Sequence, residues 1–351
     1  MRTILVTGGC GFIGSAFLRH VVGQGLARAV NVDKLTYAAN PDAVAALAGG
    51  SYAFVQADIG DRDAMRATFA RHRPDAVVNF AAETHVDRSI DGPLAFVETN
   101  VAATARLLVE AHAYWRDLDA SARDAFRFLH VSTDEVFGAL AADDPPFTEA
   151  SAYAPNSPYA ATKAASDHLV RAWNRTYGLP VLVTNCSNNY GPWQFPEKLV
   201  PLMIAKARAG EGLPVYGAGT NVRDWLHGED HAAGLWLALT RGKPGETYAF
   251  GGGAEVANID VVHAICDTLD ARLGALPDGP RRRLVTHVAD RPGHDFRYAI
   301  DAAKAHAALG WRPAHAFSAG LAATVDWYLA NRAWVDSIRS RRYSLERLGA
   351  G

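Results

Sequence analysis

Hydrophobic and polar positions follow two rhythms along the first half of the chain. Short runs rich in β-branched and aromatic residues, apolar on both sides, recur as TILVTG (3–8), AVNVD (29–33), YAFVQAD (52–58), AVVNFAA (76–82), FRFLHVST (126–133) and PVLVTN (180–185). Between them lie longer stretches with helical spacing, such as IGSAFLRHVVGQG (13–25) and ATARLLVEAHAYW (103–115). Strands buried on both faces and separated by helices predict a parallel sheet covered on both sides, the doubly wound α/β or Rossmann arrangement. After about Asn185 the rhythm breaks into loops rich in Gly, Pro, Asn and Trp, and TYAFGGG (247–253) then reads as one further strand. The expected division is a dinucleotide-binding domain over 1–186 plus about 225–253, and a smaller α/β substrate domain over about 187–224 plus 254–351. The tail SIRSRRYSLERLGAG (337–351) is polar and expected to be loosely held.

Composition narrows the function classes. The 351 residues are 49% hydrophobic, enough for a sizeable core, and the formal charge is −2 with no long run of one sign. Such a balance argues against a nucleic-acid partner. No segment approaches the ~20 apolar residues of a membrane span, and the first thirty lack the layout of a secretion signal. The cysteines Cys10, Cys186 and Cys266 lack metal-ligand spacing, which suits a reducing cytoplasm and suggests neither a zinc site nor a disulfide framework.

The candidate chemistry begins at the glycines. Gly8, Gly11 and Gly14 are spaced G-x-x-G-x-x-G after the first strand, and a helix opens near Phe12 and Ile13. Glycines let the backbone approach a pyrophosphate, and the helix aims free N–H groups and its positive end at the anion. The next strand ends in Asp33, followed by Lys34, Leu35 and Thr36. An acid there accepts from a ribose 2′-hydroxyl and repels a 2′-phosphate, favouring NAD over NADP. Asp58 and Ile59, Ala81 and Ala82, and Thr99 are expected along the same edge, with Asp58 near the adenine.

A second pattern is SPYAATKAASDHLVRAW (157–173), where Pro158 opens a helix and Tyr159 and Lys163 stand four residues apart on one face. A free phenol has a pKa of about 10, and a nearby ammonium favours its phenolate, so the pair can take a proton from an alcohol. Thr133 would orient that alcohol. Immediately after it stand two adjacent acids, Asp134 and Glu135, at the end of an apolar strand where an idle carboxylate is costly.

Together these motifs, with AETHVDRSI, TNCSNNYGPWQFPEKLVPLMI, NVRDWLHGEDH and DRPGHDFRYAID, resemble the extended short-chain dehydrogenase/reductase family of NAD-using enzymes that act on nucleotide sugars. The likeness runs over nearly the whole chain, most closely to members that dehydrate a hexose; Cys10 and Thr84 depart from the family's alanine and serine. The resemblance implies NAD as cofactor, dTDP-glucose as nucleotide-sugar substrate, and a homodimer formed through ATARLLVEAHAYW and the helix bearing Tyr159. It implies catalytic roles for Thr133, Asp134, Glu135, Tyr159 and Lys163, with Asn189 at the nicotinamide end. It maps Thr84, His85, Asn188, Lys198, Leu199, Arg223, Asn258, Asp290, Arg291 and His294 onto substrate-binding positions, with Pro214, Val215 and Tyr216 packed against the base. Within this family a 4-epimerase or a UDP-glucuronate decarboxylase would also need Thr133, Tyr159 and Lys163, but neither needs the acid pair. A catalytically idle NAD sensor would need none of these together.

Overall fold

The structure is a computed structural model that describes residues 2–341. Twelve strands are present among them: β1 (Thr3–Thr7), β2 (Arg28–Asp33), β3 (Tyr52–Gln56), β4 (Ala76–Asn79), β5 (Arg127–Thr133), β6 (Val181–Cys186), β7 (Asn188–Tyr190), β8 (Leu213–Tyr216), β9 (Val222–His227), β10 (Thr247–Phe250), β11 (Glu255–Ala257) and β12 (Val285–Val288). Seven form one sheet in the order β10-β6-β5-β4-β1-β2-β3, parallel throughout. Strand order reverses at β1, which lies between β2 and β4. Ligands of such sheets bind in the crevice beyond the carboxyl ends at that point.

The doubly apolar runs explain why this sheet has two buried faces. Along β1, Ile4 and Val6 enter one core with Phe17, Leu18, Leu129, Leu182 and Leu235, while Leu5 enters the other with Val30, Val77, Phe69, Leu107 and Phe128. The first core is closed by helices Phe12–Gly23 and Gly228–Arg241, the second by Arg62–His72, Thr104–Arg116 and Pro158–Tyr177. Ser157 caps the last of these, accepting from the Ala160 N–H at 3.1 Å, with Pro158 as its first residue.

A third core gathers Val200, Met203, Ile204, Val261, Ile265 and Val325 from helices Leu199–Ala209, Asn258–Leu273 and Phe317–Ala330, with Val215 from β8. Beside it lie a three-stranded sheet, β11-β9-β7, and the pair β12-β8. The chain passes between these regions more often than its loop composition suggests. Ala302, Ala305, Leu309 and Trp311 return to the first core, and the Trp311 indole donates to the Asp230 carbonyl at 2.9 Å.

Two further features differ from the pattern reading. The helical run around 103–115 starts earlier, with a π-helical turn at Val97–Ala103 that carries Thr99 and Asn100. The polar tail from 342 onward lies outside the described residues; before it, helix Arg332–Arg341 buries Val335 and Ile338. Among the described residues no helix is long and apolar enough to cross a membrane, and the three cysteines are buried and unbridged.

Candidate active site

At the sheet's switch point lies a cleft of about 300 Å³, floored by the glycine loop and lined by the ends of β1, β2, β4 and β5. Gly8 adopts φ +67°, and a Cβ there would stand 2.7 Å from the Ala81 nitrogen; one on Gly14 would stand 2.4 Å from the Gly8 carbonyl oxygen. Only glycine permits this tight turn. Gly11 caps the Phe12–Gly23 helix without a side-chain bond. The helix's first N–H groups therefore face the cleft with their positive end.

Asp33 is buried at the cleft wall, its carboxylate fixed by the Cys10 N–H at 2.9 Å and the Leu35 N–H at 2.8 Å. Each oxygen keeps a lone pair for a sugar hydroxyl. Asp58 pairs with Lys34 at 3.3 Å, and Lys34 also donates to the Thr99 hydroxyl at 3.4 Å. These features fit a dinucleotide. All the expected cofactor positions line the cleft except Leu35, whose left-handed backbone (φ 60°) instead presents its N–H to Asp33.

The reacting groups meet at the cleft's inner end. Thr133 ends β5 and caps the turn Asp134–Phe137, accepting from the Glu135 N–H at 3.3 Å and donating to Asp134 Oδ1 at 3.2 Å. This cap separates the two acids. Asp134 is 1% exposed and its Oδ2 has no hydrogen-bond partner. Burial, and then the charges of Glu135 and Asp224, push its pKa well above the usual carboxylate range. Glu135 is raised by burial as well, but Arg291, Lys198 and Arg223 oppose the shift. The pair is therefore biased towards a neutral Asp134 beside an ionised Glu135, as acid and base chemistry at one pH requires.

Tyr159 stands one turn from Lys163, its N–H donating to the Ser89 hydroxyl at 3.2 Å. Burial first, and the Glu135 charge second, raise the phenol pKa well above 10. Lys163 donates to the Val131 carbonyl at 2.8 Å, and burial lowers its own pKa. The phenol is thus neutral as the site stands.

A second cleft of about 220 Å³ adjoins the first, and Thr84, Glu135, Asn188, Glu197 and Lys198 line both. His85, Leu199, Pro214, Val215, Tyr216, Arg223, Asn258, Arg291 and His294 line the second. Asp290 lines neither; it holds the His294 ring at 2.6 Å. Arg223 is stacked on the Tyr298 ring, 4.3 Å from its centroid, and donates to the carbonyls of Val222, Asp295 and Phe296. Arg291 pairs with Asp87 at 3.1 Å, and Tyr216 donates to the other oxygen of that carboxylate at 2.9 Å. Burial pushes the His85 imidazole down to about 2, leaving it neutral.

The residues missed in sequence are those that hold others. Asp87 orients Arg291 and Tyr216, and Asn100 bonds both backbone groups of Glu83 (2.8 and 3.0 Å) and the Thr162 hydroxyl (2.9 Å). Glu197 accepts from Tyr37 at 3.1 Å and Arg88 at 3.4 Å. Asp87 and Glu197 sit inside the quoted motifs, and the signal available there was a basic neighbour, Arg88 after Asp87 and Lys198 after Glu197. Elsewhere, His227, Glu229 and His315 bring one ligand atom each within 4.8 Å of one another. Yet His227 Nδ1 accepts from the Glu229 N–H at 3.4 Å at a helix N-terminus, whose dipole opposes a cation.

Comparison with known proteins gives the family. The family model described as GDP-mannose 4,6 dehydratase matches residues 5–324. A dTDP-glucose 4,6-dehydratase of Xanthomonas campestris pv. campestris is 56% identical, covering 100% of this chain and 99% of its own. One from Escherichia coli K12 is 55% identical over 97% and 96% of the two chains. The dTDP-glucose 4,6-dehydratase of Streptomyces venezuelae, solved with NAD bound, superposes with a TM-score of 0.86 at 44% identity, covering 96% of this chain and 99% of that one. A Thermus thermophilus UDP-glucose 4-epimerase is more distant, at 26% identity and a TM-score of 0.81, covering 93% and 99%. The chain belongs to the extended short-chain dehydrogenase/reductases, within their family of nucleotide-sugar 4,6-dehydratases.

Proposed function

We propose that this protein converts dTDP-glucose to dTDP-4-keto-6-deoxyglucose, using NAD held in the first cleft. The observation that carries the reading is the acid pair: Asp134 buried with an unpartnered oxygen, and Glu135 lining both clefts under the influence of three cations. A 4-epimerase has no use for it.

When bound, NAD supplies a hydride acceptor for C4, a donor for C6 and positive charge in its nicotinamide ring. The glycine loop and helix Phe12–Gly23 would hold its pyrophosphate and Asp33 its ribose. Thr133 and Tyr159 hold the C4 hydroxyl, and Tyr159 takes its proton once the surrounding charge favours the phenolate. A C4 ketone acidifies the neighbouring C5 hydrogen, which Glu135 removes. Asp134, kept neutral by burial, protonates the departing C6 oxygen so that water leaves. Glu135, its carboxyl proton exchanged with solvent in the interval, then delivers a proton to C5 as hydride returns to C6. In the second cleft, Arg223, Arg291 and Lys198 are suited to the diphosphate, with arginine capable of a bidentate grip.

The reading includes the division of labour between the two lobes and a cytoplasmic homodimer. Unbridged buried cysteines suit a reducing compartment. Leu94, Val97 and Val109 stay exposed along the run containing helix Thr104–Arg116, an apolar surface a second copy would cover. Incubation with dTDP-glucose in deuterated water tests the chemistry. A 6-deoxy-4-ketose carrying deuterium at C5 is expected, and dTDP-galactose as the only product would refute dehydration.

A further inference from the structure

One buried charge behind the site has no part in the steps above. Asp167 follows Lys163 by four residues on helix Pro158–Tyr177, so Tyr159, Lys163 and Asp167 descend one face in successive turns. Its side chain is 0% exposed. Asp167 Oδ2 accepts from the Tyr153 hydroxyl at 2.7 Å and the Asn185 amide at 3.3 Å, and that same amide donates to the Thr133 carbonyl at 3.0 Å. His130 Nε2 approaches Oδ1 at 3.4 Å.

His130 does not supply the balancing charge. The Thr7 hydroxyl donates to Asn79 Oδ1 at 2.6 Å, which leaves the Asn79 amide to donate to His130 Nδ1 at 3.1 Å. The ring proton therefore sits on Nε2, facing the Ser166 hydroxyl at 3.2 Å and Asp167. Burial drives the imidazole pKa down to about 4, so the ring is neutral at pH 7. Arg171 donates to the Tyr153 hydroxyl at 2.7 Å and lies over that ring, separated from the carboxylate by the phenol. The His168 ring packs on Tyr153, centroids 5.1 Å apart. Lys163 remains as the buried cation on the same face.

We propose that Asp167 is a positioning residue, the buried counter-charge that keeps Lys163 cationic and seated beneath Tyr159, with His130 as a neutral strut that fixes the carboxylate. Resting on the proposed dehydratase reading, it names the group behind the Tyr159–Lys163 pair. Lys163 is 4% exposed and has one backbone carbonyl for its ammonium. Asp167 stands one helical turn away, beyond direct ion-pair contact with the ammonium, and its charge opposes the proton loss that burial favours. Burial would raise Asp167 as well, but His130, Lys163 and Tyr153 outweigh it and hold the carboxyl below its usual range. Asp134 and Glu135 act on Tyr159, Cys186 acts on both Tyr159 and Lys163, and none of the three is altered by changing Asp167.

The test is the pH profile of kcat in Asp167→Asn, alone and combined with Lys163→Met. Loss of the counter-charge is expected to bring the alkaline limb down by about one pH unit or more and to lower kcat at pH 8 by roughly tenfold or more. In the Lys163→Met background, Asp167→Asn should change kcat by less than about twofold. Unmoved limbs with only a lower melting temperature would make Asp167 a core residue and overturn the proposal, as would equal losses in both backgrounds. Should Asp167→Asn fail to fold, stability gives the answer: removing both charges should recover what removing one loses. A double variant no more stable than the single would reject it. Loss of turnover on every nucleotide sugar by the wild-type enzyme would instead overturn the dehydratase reading.

Discussion

The first cleft draws its lining from loops at the ends of successive parallel strands, so residues close in sequence, such as Gly8 to Gly14, remain close in the site. The second is assembled from distant segments: its Arg291–Asp87 pair joins residues 204 positions apart. One is shaped mainly by backbone, the other by long charged side chains braced on buried acids. Backbone sites tolerate no added atom. Side-chain sites lose affinity by degrees.

The sharpest break of that contrast falls where the clefts meet. Tyr159→Phe should lower turnover roughly 10²–10⁴-fold and leave no reduced cofactor on mixing with substrate. Glu135→Gln should lose turnover on the same scale, yet accumulate reduced cofactor, visible in near-ultraviolet absorbance, because C4 oxidation does not require it. Ready reduction in the first variant, or normal water loss in the second, would reverse the assignments. Next comes the backbone side. Gly14→Ala places a Cβ 2.4 Å from the Gly8 oxygen, and overpacking of that kind costs about 1–3 kcal/mol. The purified variant should hold little NAD and melt lower, whereas full retention would show that the loop can yield. On the side-chain side, Arg291→Lys keeps the charge but loses the planar fork beside Asp87. KM should rise roughly tenfold, about 1.4 kcal/mol, with kcat changed much less.

The smallest effect concerns stability. Because the folded-state pKa of Asp134 is raised, the stabilisation it gives is complete below its unfolded pKa and is lost as pH rises through the folded value. At neutral pH the carboxyl is therefore a burden to the fold. Asp134→Asn should dehydrate poorly, yet melt roughly 2 °C higher at pH 8 with a flatter decline in melting temperature between pH 5 and 8. A variant that melts lower at every pH would contradict a raised pKa.

What was legible from sequence follows the same line. The glycine spacing, the Tyr159–Lys163 interval and Thr133-Asp134-Glu135 declare themselves because each is read within one turn or loop. Six of the sheet's strands showed as doubly apolar runs, and β10 as a seventh. Asp87, Asn100 and Asp167 in helical stretches, and Glu197 in a turn, were not singled out, because an acid or amide there looks solvated until its partners arrive from other elements. Leu35 and Asp290 lie beside their clefts, one bending the backbone and the other holding His294. Trp225, 6% exposed, packs into the third core while also lining the second cleft.

The repeated passage of the chain between its two halves bears on how such a protein can be taken apart. A fragment ending at Cys186 would keep the glycine loop, both acids and the tyrosine. It would also lose Leu226, Leu235, Tyr248, Phe250 and Trp311 from the packing behind them, leaving helix Phe12–Gly23 to cover that side of the sheet alone. Neither half is a transferable module. Recombination that preserves function has to exchange whole loops at the cleft rims and leave the threading intact.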